Sequence, residues 1–247
     1  MPAIDSLREK IRRIEAGQRR ASGVLPFEVP EIDRRLPGGG LAMGALHEVA
    51  GGANGAVHAA AAALFSAGIA ARGGGAVLWC VVRQDLFAPA LAQAGLAPDR
   101  IVYVEAGGED AVLACFEEGL RHKGLGAVVA EVSRLSLTHS RRLQLAAEGS
   151  GSIGIAIRRW RRQADAVDFG QATASATRWR ISALPQPSSL IPGLERARWQ
   201  VELIRCRGGE SADFELEACD EQGRLNLPAE LADRPAFEEA GRQHAAR

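Results

Sequence analysis

The chain is short of lysine, of aromatic residues, of paired cysteines and of any net charge, and each shortage excludes something. Among 30 basic side chains only Lys10 and Lys123 are lysines, so chemistry that requires an ammonium group has two candidates. A GC-rich coding sequence is an equally good reason for so much arginine. Cys80, Cys115, Cys206 and Cys219 form no CxxC pair, which removes the usual zinc spacing. Most of them sit in apolar or alternating surroundings, as buried thiols of a reducing compartment do. His47, His58, His122, His139 and His244 are scattered without ligand spacing, so neither a metal nor another cofactor is expected. Ser133, Ser136 and Ser140 lie near His139, but there is no acid to complete a triad and no G-x-S-x-G elbow. The longest apolar stretch, residues 56–71, is alanine-rich and interrupted by His58 and Ser66, too weak to span a bilayer. The opening residues are charged (Asp5, Arg8, Glu9, Lys10) and lack the apolar core of a signal peptide, so a cytoplasmic protein is expected.

What is present is a soluble α/β composition: 247 residues, 47% hydrophobic and 24% charged. Thirty acidic groups balance the basic ones, which on its face argues against a strongly nucleic-acid-binding surface. The balance is a sum of unlike parts. Residues 1–157 are neutral, residues 158–207 carry a net +6 and residues 208–247 a net −6.

Residues 1–23 form a candidate partner helix, with Ile4, Leu7, Ile11 and Ile14 on one stripe and Arg8, Lys10, Arg12 and Arg13 opposite. A breaker-rich linker covers 23–30, and the glycines at 38–40 exclude helix. From there strand-like and helix-like segments alternate: strands at 45–49, 76–82, 101–104, 126–130 and 153–157, helices at 56–71, 86–94, 109–122 and 138–147. Such alternation predicts an α/β fold with a mostly parallel sheet covered by helices. After 157 the pattern changes. Residues 158–176 read as a basic, flexible loop, and 177–183, 199–206 and 214–218 alternate like antiparallel C-terminal strands on one sheet edge. The core is expected to span 24–220 and an acidic, mobile tail 221–247.

One turn has the layout of a phosphate-binding loop. A short strand ends at Glu48-Val49-Ala50, followed by Gly51-Gly52-Ala53-Asn54-Gly55-Ala56-Val57 and a helix. A working GxxxxGK[ST] loop wraps backbone N–H groups around phosphates, neutralises them with lysine and holds Mg²⁺ through a hydroxyl. Here the glycines stand one residue too close, Ala56 takes the lysine place and Val57 the hydroxyl place. The loop formed by Gly51, Gly52, Gly55, Ala56 and Val57 is therefore degenerate, and ATP hydrolysis is not expected. The second, acidic element of a nucleotide site would close an apolar strand, and Glu131 ends Val128-Val129-Ala130-Glu131. It could hold a metal or remain as a structural acid.

Leu36-Pro37-Gly38-Gly39-Gly40-Leu41, Gly44 and Leu46-His47-Glu48-Val49, taken with the degenerate loop and Val128 to Val132, resemble a RecA-like core. More narrowly they resemble ImuA-type proteins, RecA-like and SulA-like accessory proteins of bacterial damage-inducible mutagenesis. Arg178-Trp179-Arg180-Ile181 and Ala197-Arg198-Trp199-Gln200-Val201 are similar to the family's C-terminal half. The resemblance implies a non-catalytic role in damage-induced translesion synthesis. Its implied partners are a Y-family-like polymerase homologue, an error-prone replicative-type DNA polymerase and the recombinase.

Arg158-Arg159-Trp160-Arg161-Arg162 places four guanidiniums around one indole. Arginine forks suit phosphate oxygens and an indole can stack on a base, so the run is a candidate contact for single-stranded DNA or an acidic partner. A solvated loop with Trp160 packed inward is the plainer alternative. At the level of function two alternatives stand beside the scaffold: a RecA-fold ATPase with an unconventional site, and a SulA-like inhibitor that binds another protein.

Overall fold

A computed structural model describes residues 23–53, 55–160, 163–185 and 196–228, with 163–165 and 167 described by their backbone. The stripe of Ile4, Leu7, Ile11 and Ile14, the pair Arg161 and Arg162, and the tail from 229 lie outside the described residues. The chain opens with a two-stranded sheet, β1 (Val24–Leu25) and β2 (Leu41–Ala42), with the short helix α1 (Pro30–Asp33) between them. β1 lies within the linker expected at 23–30; each strand is only two residues long, too short for periodicity to register.

The core follows as β3 (Leu46–Gly51), α2 (Ala56–Arg72), β4 (Ala76–Val81), α3 (Ala88–Gln93), β5 (Ile101–Glu105) and α4 (Glu109–Arg121). It continues through β6 (Leu125–Val132), α5 (Leu137–Ser150), β7 (Ile153–Arg158), a 3₁₀ segment Gln163–Gly170, β8 (Thr177–Ala183), β9 (Arg198–Cys206) and β10 (Ala212–Glu217). Eight strands form one sheet in the order β10-β9-β8-β3-β7-β6-β4-β5. The expected α/β class holds: β8, β3, β7, β6, β4 and β5 are parallel, and β9 and β10 extend the edge antiparallel. One detail differs. β8 runs parallel to β3, so the antiparallel extension begins at β9 and not at residue 177. Alternation along β8 reports two unlike faces and carries no information on strand direction.

Two hydrophobic layers flank the sheet. Phe65 and Ile69 of α2 and Leu91 of α3 pack with Val49, Trp79, Val129, Ile157 and Trp179 on one face. Phe116 and Leu120 of α4 and Leu143 of α5 pack with Leu46, Val128 and Ala156 on the other. Phe27, Phe65 and Trp179 meet with ring centroids 5.5–5.9 Å apart, tying the two-stranded sheet to α2 and β8. Buried His47 joins the same region, with Nδ1 2.7 Å from Thr177 Oγ1 and Nε2 3.0 Å from the Ala42 carbonyl. Desolvation pushes its pKa down to about 4, so it is neutral at physiological pH.

The core also runs past the expected boundary at 220. Leu225 is buried, Asn226 bridges Glu217, and Gly223 packs on Gly68 in the middle of α2. Helix-interior glycine costs about 1 kcal/mol. Here a Cβ on Gly68 would lie 2.4 Å from Cys219 Sγ, so the close approach of this C-terminal turn requires it.

Candidate functional site

The site lies at the C-terminal ends of β3, β7, β6 and β4, where parallel α/β sheets gather their ligands. β3 delivers the degenerate loop and Gly55 caps α2 with a φ of 120°. The loop is drawn onto β8. Gly52 donates its N–H to the Ile181 carbonyl at 2.8 Å, and a Cβ on Gly52 would fall 1.7 Å from Ser182 Oγ. One N–H that a phosphate loop would offer to an anion is thus spent inside the sheet. Ala56 begins α2 without a charge, and Val57 stands 65% exposed with no hydroxyl.

Glu131 stands where its strand position predicts, at the end of β6, and is buried. It faces Arg159: Nη1 reaches Glu131 Oε2 at 2.5 Å, while Nη1 and Nη2 clasp both oxygens of Asp85 at 2.8 and 2.9 Å. The other Glu131 oxygen accepts from Trp79 Nε1 at 3.3 Å. Burial pushes the Glu131 pKa up, and the Arg159 charge and the two hydrogen bonds oppose that rise. Asp85 is held below its usual pKa, chiefly by its hydrogen bonds from Arg159.

The neighbouring arginine points to the opposite sheet face, as the two-residue period of a strand dictates. Arg158 is the last residue of β7 and its side chain is wholly buried. Its Nη1 donates to Glu48 Oε2 at 2.8 Å, and its Nη2 donates to Asp168 and, at 2.9 Å, to the Ser133 carbonyl. Glu48 Oε1 accepts from Thr173, from Ser175 Oγ at 2.7 Å and from Arg178 Nη2 at 3.2 Å. Phe169 lies beneath both guanidiniums, 5.9 Å from that of Arg158 and 5.1 Å from that of Arg178.

This network corrects the reading of 158–176 as a basic, flexible loop. Phe169, Thr173 and Ser175 are buried, because Glu48 lies fully inside the fold and a buried carboxylate must be paired and hydrogen-bonded. Trp160 is half-buried, its Nε1 bonded to the Ser133 carbonyl at 2.9 Å and its ring set edge-on to Phe169. Arg158, Arg159 and Trp160, all candidates for DNA or partner contact, are therefore engaged within the chain. Sequence reasoning missed Glu48, Asp85 and Asp168, which supply most of the acids here. Glu48 left one signal: a charge inside a strand otherwise buried on both faces demands a partner.

Two cavities meet at Arg159. One of about 370 Å³ is lined by Arg83, Asp85, Glu109, Glu131, Ser133 and Trp160. The other, of about 280 Å³, lies between alanines of α2 and Leu86, Phe87 and Leu91. The fold implies a Mg²⁺-nucleotide at this end of the sheet, and the residues present do not fit one. No lysine or hydroxyl side chain stands at the start of α2, Gly52 N–H is committed, and Glu131 is paired to a guanidinium. Among the described residues no three His, Cys, Asp or Glu side chains group to hold a metal ion.

No family model matches the chain. Among solved structures, that of the RadB recombinase superposes with a TM-score of 0.56 at 17% identity, covering 82% of this chain and 99% of that one, which shows the RecA-like fold. Two curated relatives, Protein ImuA from Caulobacter vibrioides strains NA1000/CB15N and ATCC 19089/CIP 103742/CB 15, are each 40% identical over 245 residues. Each alignment takes in 93% of this chain and 99% of the relative. Identity of that depth over nearly the full length of both proteins, on a RecA-like core whose phosphate loop has lost its charge, makes this chain a member of the ImuA family.

Proposed function

We propose that this protein is a non-catalytic, RecA-like accessory protein of damage-induced translesion DNA synthesis. It links a Y-family-like polymerase homologue with an error-prone replicative-type polymerase, and it meets the recombinase at damaged DNA. The observation that carries the non-catalytic part is the absence of the lysine and hydroxyl a Mg²⁺-nucleotide needs, beside an acid that is already paired. Ala56 and Val57 stand at the lysine and hydroxyl places, and Arg159 is paired to Glu131. Membership of the ImuA family supports the cellular role. None of the described helices is long and apolar enough to cross a membrane, which is compatible with action in the cytoplasm.

Direct contact with single-stranded DNA rests chiefly on Arg161 and Arg162, since the described members of the basic run are engaged internally. The test is a pull-down with the tagged full-length chain from cells exposed to a DNA-damaging agent. Recovery of the two polymerase components supports the scaffold. Recovery of a cell-division protein without them would replace it with the inhibitor reading.

A further inference from the structure

Arg158 and Arg159 are consecutive, yet each bridges two carboxylates on opposite faces of the sheet. Arg158 joins Glu48 of β3 to Asp168 of the 3₁₀ segment. Arg159 joins Glu131 of β6 to Asp85 of the β4–α3 connection. Four acids from four separate places in the chain thus converge on one dipeptide, whose backbone extends the β6–β7 pairing through Arg159 N–H to the Val132 carbonyl at 3.0 Å. On the Arg159 side the arrangement has the charge pattern of a metal position: two carboxylates facing one cation. One carboxylate comes from the end of β6 and the other from the connection that follows the adjacent parallel strand β4, and the cation lines both cavities.

We propose that Arg159 is a resident cation at the position a metal would take, a built-in substitute that ties the ends of β6 and β7 to the β4–α3 connection without any ligand. In nucleotide switches a bound phosphate and its metal order such segments. Here a covalently attached guanidinium does so permanently. The bidentate fork to Asp85 gives a directionality that a lysine could not reproduce. Trp79, buried beneath Glu131, keeps that carboxylate aimed at Arg159. The inference deepens the non-catalytic reading, since a protein closed in this way has no use for nucleotide-driven switching.

Hydrogen exchange on the purified full-length chain tests it. In Arg159→Ala, amides at the joined ends of β6 and β7, residues 130–132 and 157–159, are expected to exchange about tenfold faster or more, the scale of losing charge-assisted bonds, while β9 and β10 keep wild-type rates. Asp85→Asn, at a half-exposed position that preserves the Glu131 contact, is expected to show a smaller acceleration in the same segments and covers the case in which Arg159→Ala fails to fold. Millimolar MgCl₂ is expected to slow exchange again in Arg159→Ala, whose two carboxylates are left uncompensated, and to leave the wild type unchanged. Wild-type exchange rates in both variants, acceleration spread evenly over the sheet, or equal protection of the wild type by MgCl₂ would overturn the proposal. Because no partner is present in this experiment, failure here leaves the pull-down result standing, and the reverse also holds.

Discussion

At the residue scale the fold concentrates its cost in one buried group. Glu48 has no exposed surface, and two arginines and two hydroxyls compensate it. Removing Arg158 leaves buried Glu48 with Arg178 as its one remaining cation and takes the arginine from Asp168, so Arg158→Ala is expected to lower stability by about 3 kcal/mol, read from chemical denaturation. Glu48→Ala combined with Arg158→Ala is expected to cost clearly less than the sum of the single changes, because the two groups share one network. His47 adds a pH dependence with a defined sign. Its folded pKa lies below the unfolded value of 6.5, so the unfolded chain binds the proton more readily and stability falls as pH drops from about 6.5 toward 4. The stability gap between the wild type and His47→Leu should therefore narrow by on the order of 2 kcal/mol between pH 7 and pH 5. Glu131 was legible in the sequence because it ends an apolar run. Asp85 and Asp168 were not, since their partners are set by which strand ends the topology brings together, and spacing along the chain does not encode that.

At the element scale, β8 decides what the degenerate loop can be. By pairing parallel to β3 it takes the Gly52 N–H and places Ser182 against the Gly52 Cα. Gly52→Ala is expected to destabilise the protein by about 1–3 kcal/mol through overpacking, and Ser182→Gly in the same chain should restore much of the loss in a thermal melt. Restoration would place the strain at this contact; equal loss with and without Ser182→Gly would place it elsewhere. The repeating β-α units were readable because β4, β5, β6 and β7 are largely apolar runs separated by helical segments. The direction of β8 and the packing of 163–176 were not. Alternation is the same for parallel and antiparallel neighbours, and a segment held by buried ion pairs has a polar sequence like that of a solvated loop.

At the scale of the whole molecule, a net charge of zero conceals a neutral α/β core, a basic middle and an acidic end. Much of the basic middle is consumed by the fold: Arg158 and Arg178 meet Glu48, Arg180 meets Glu202, and Arg198 meets Glu215. If single-stranded DNA is bound, the affinity should fall steeply with salt through counterion release. The double variant Arg161→Ala, Arg162→Ala should then weaken binding more than Arg159→Ala does, as fluorescence anisotropy can measure. On the function proposed, Arg159 holds the place of a metal and this RecA-like fold binds no nucleotide. Isothermal titration of the full-length chain with ATP and MgCl₂ tests it most directly. No saturable heat up to millimolar nucleotide is the expected result; stoichiometric, Mg²⁺-dependent binding in the micromolar range would contradict it.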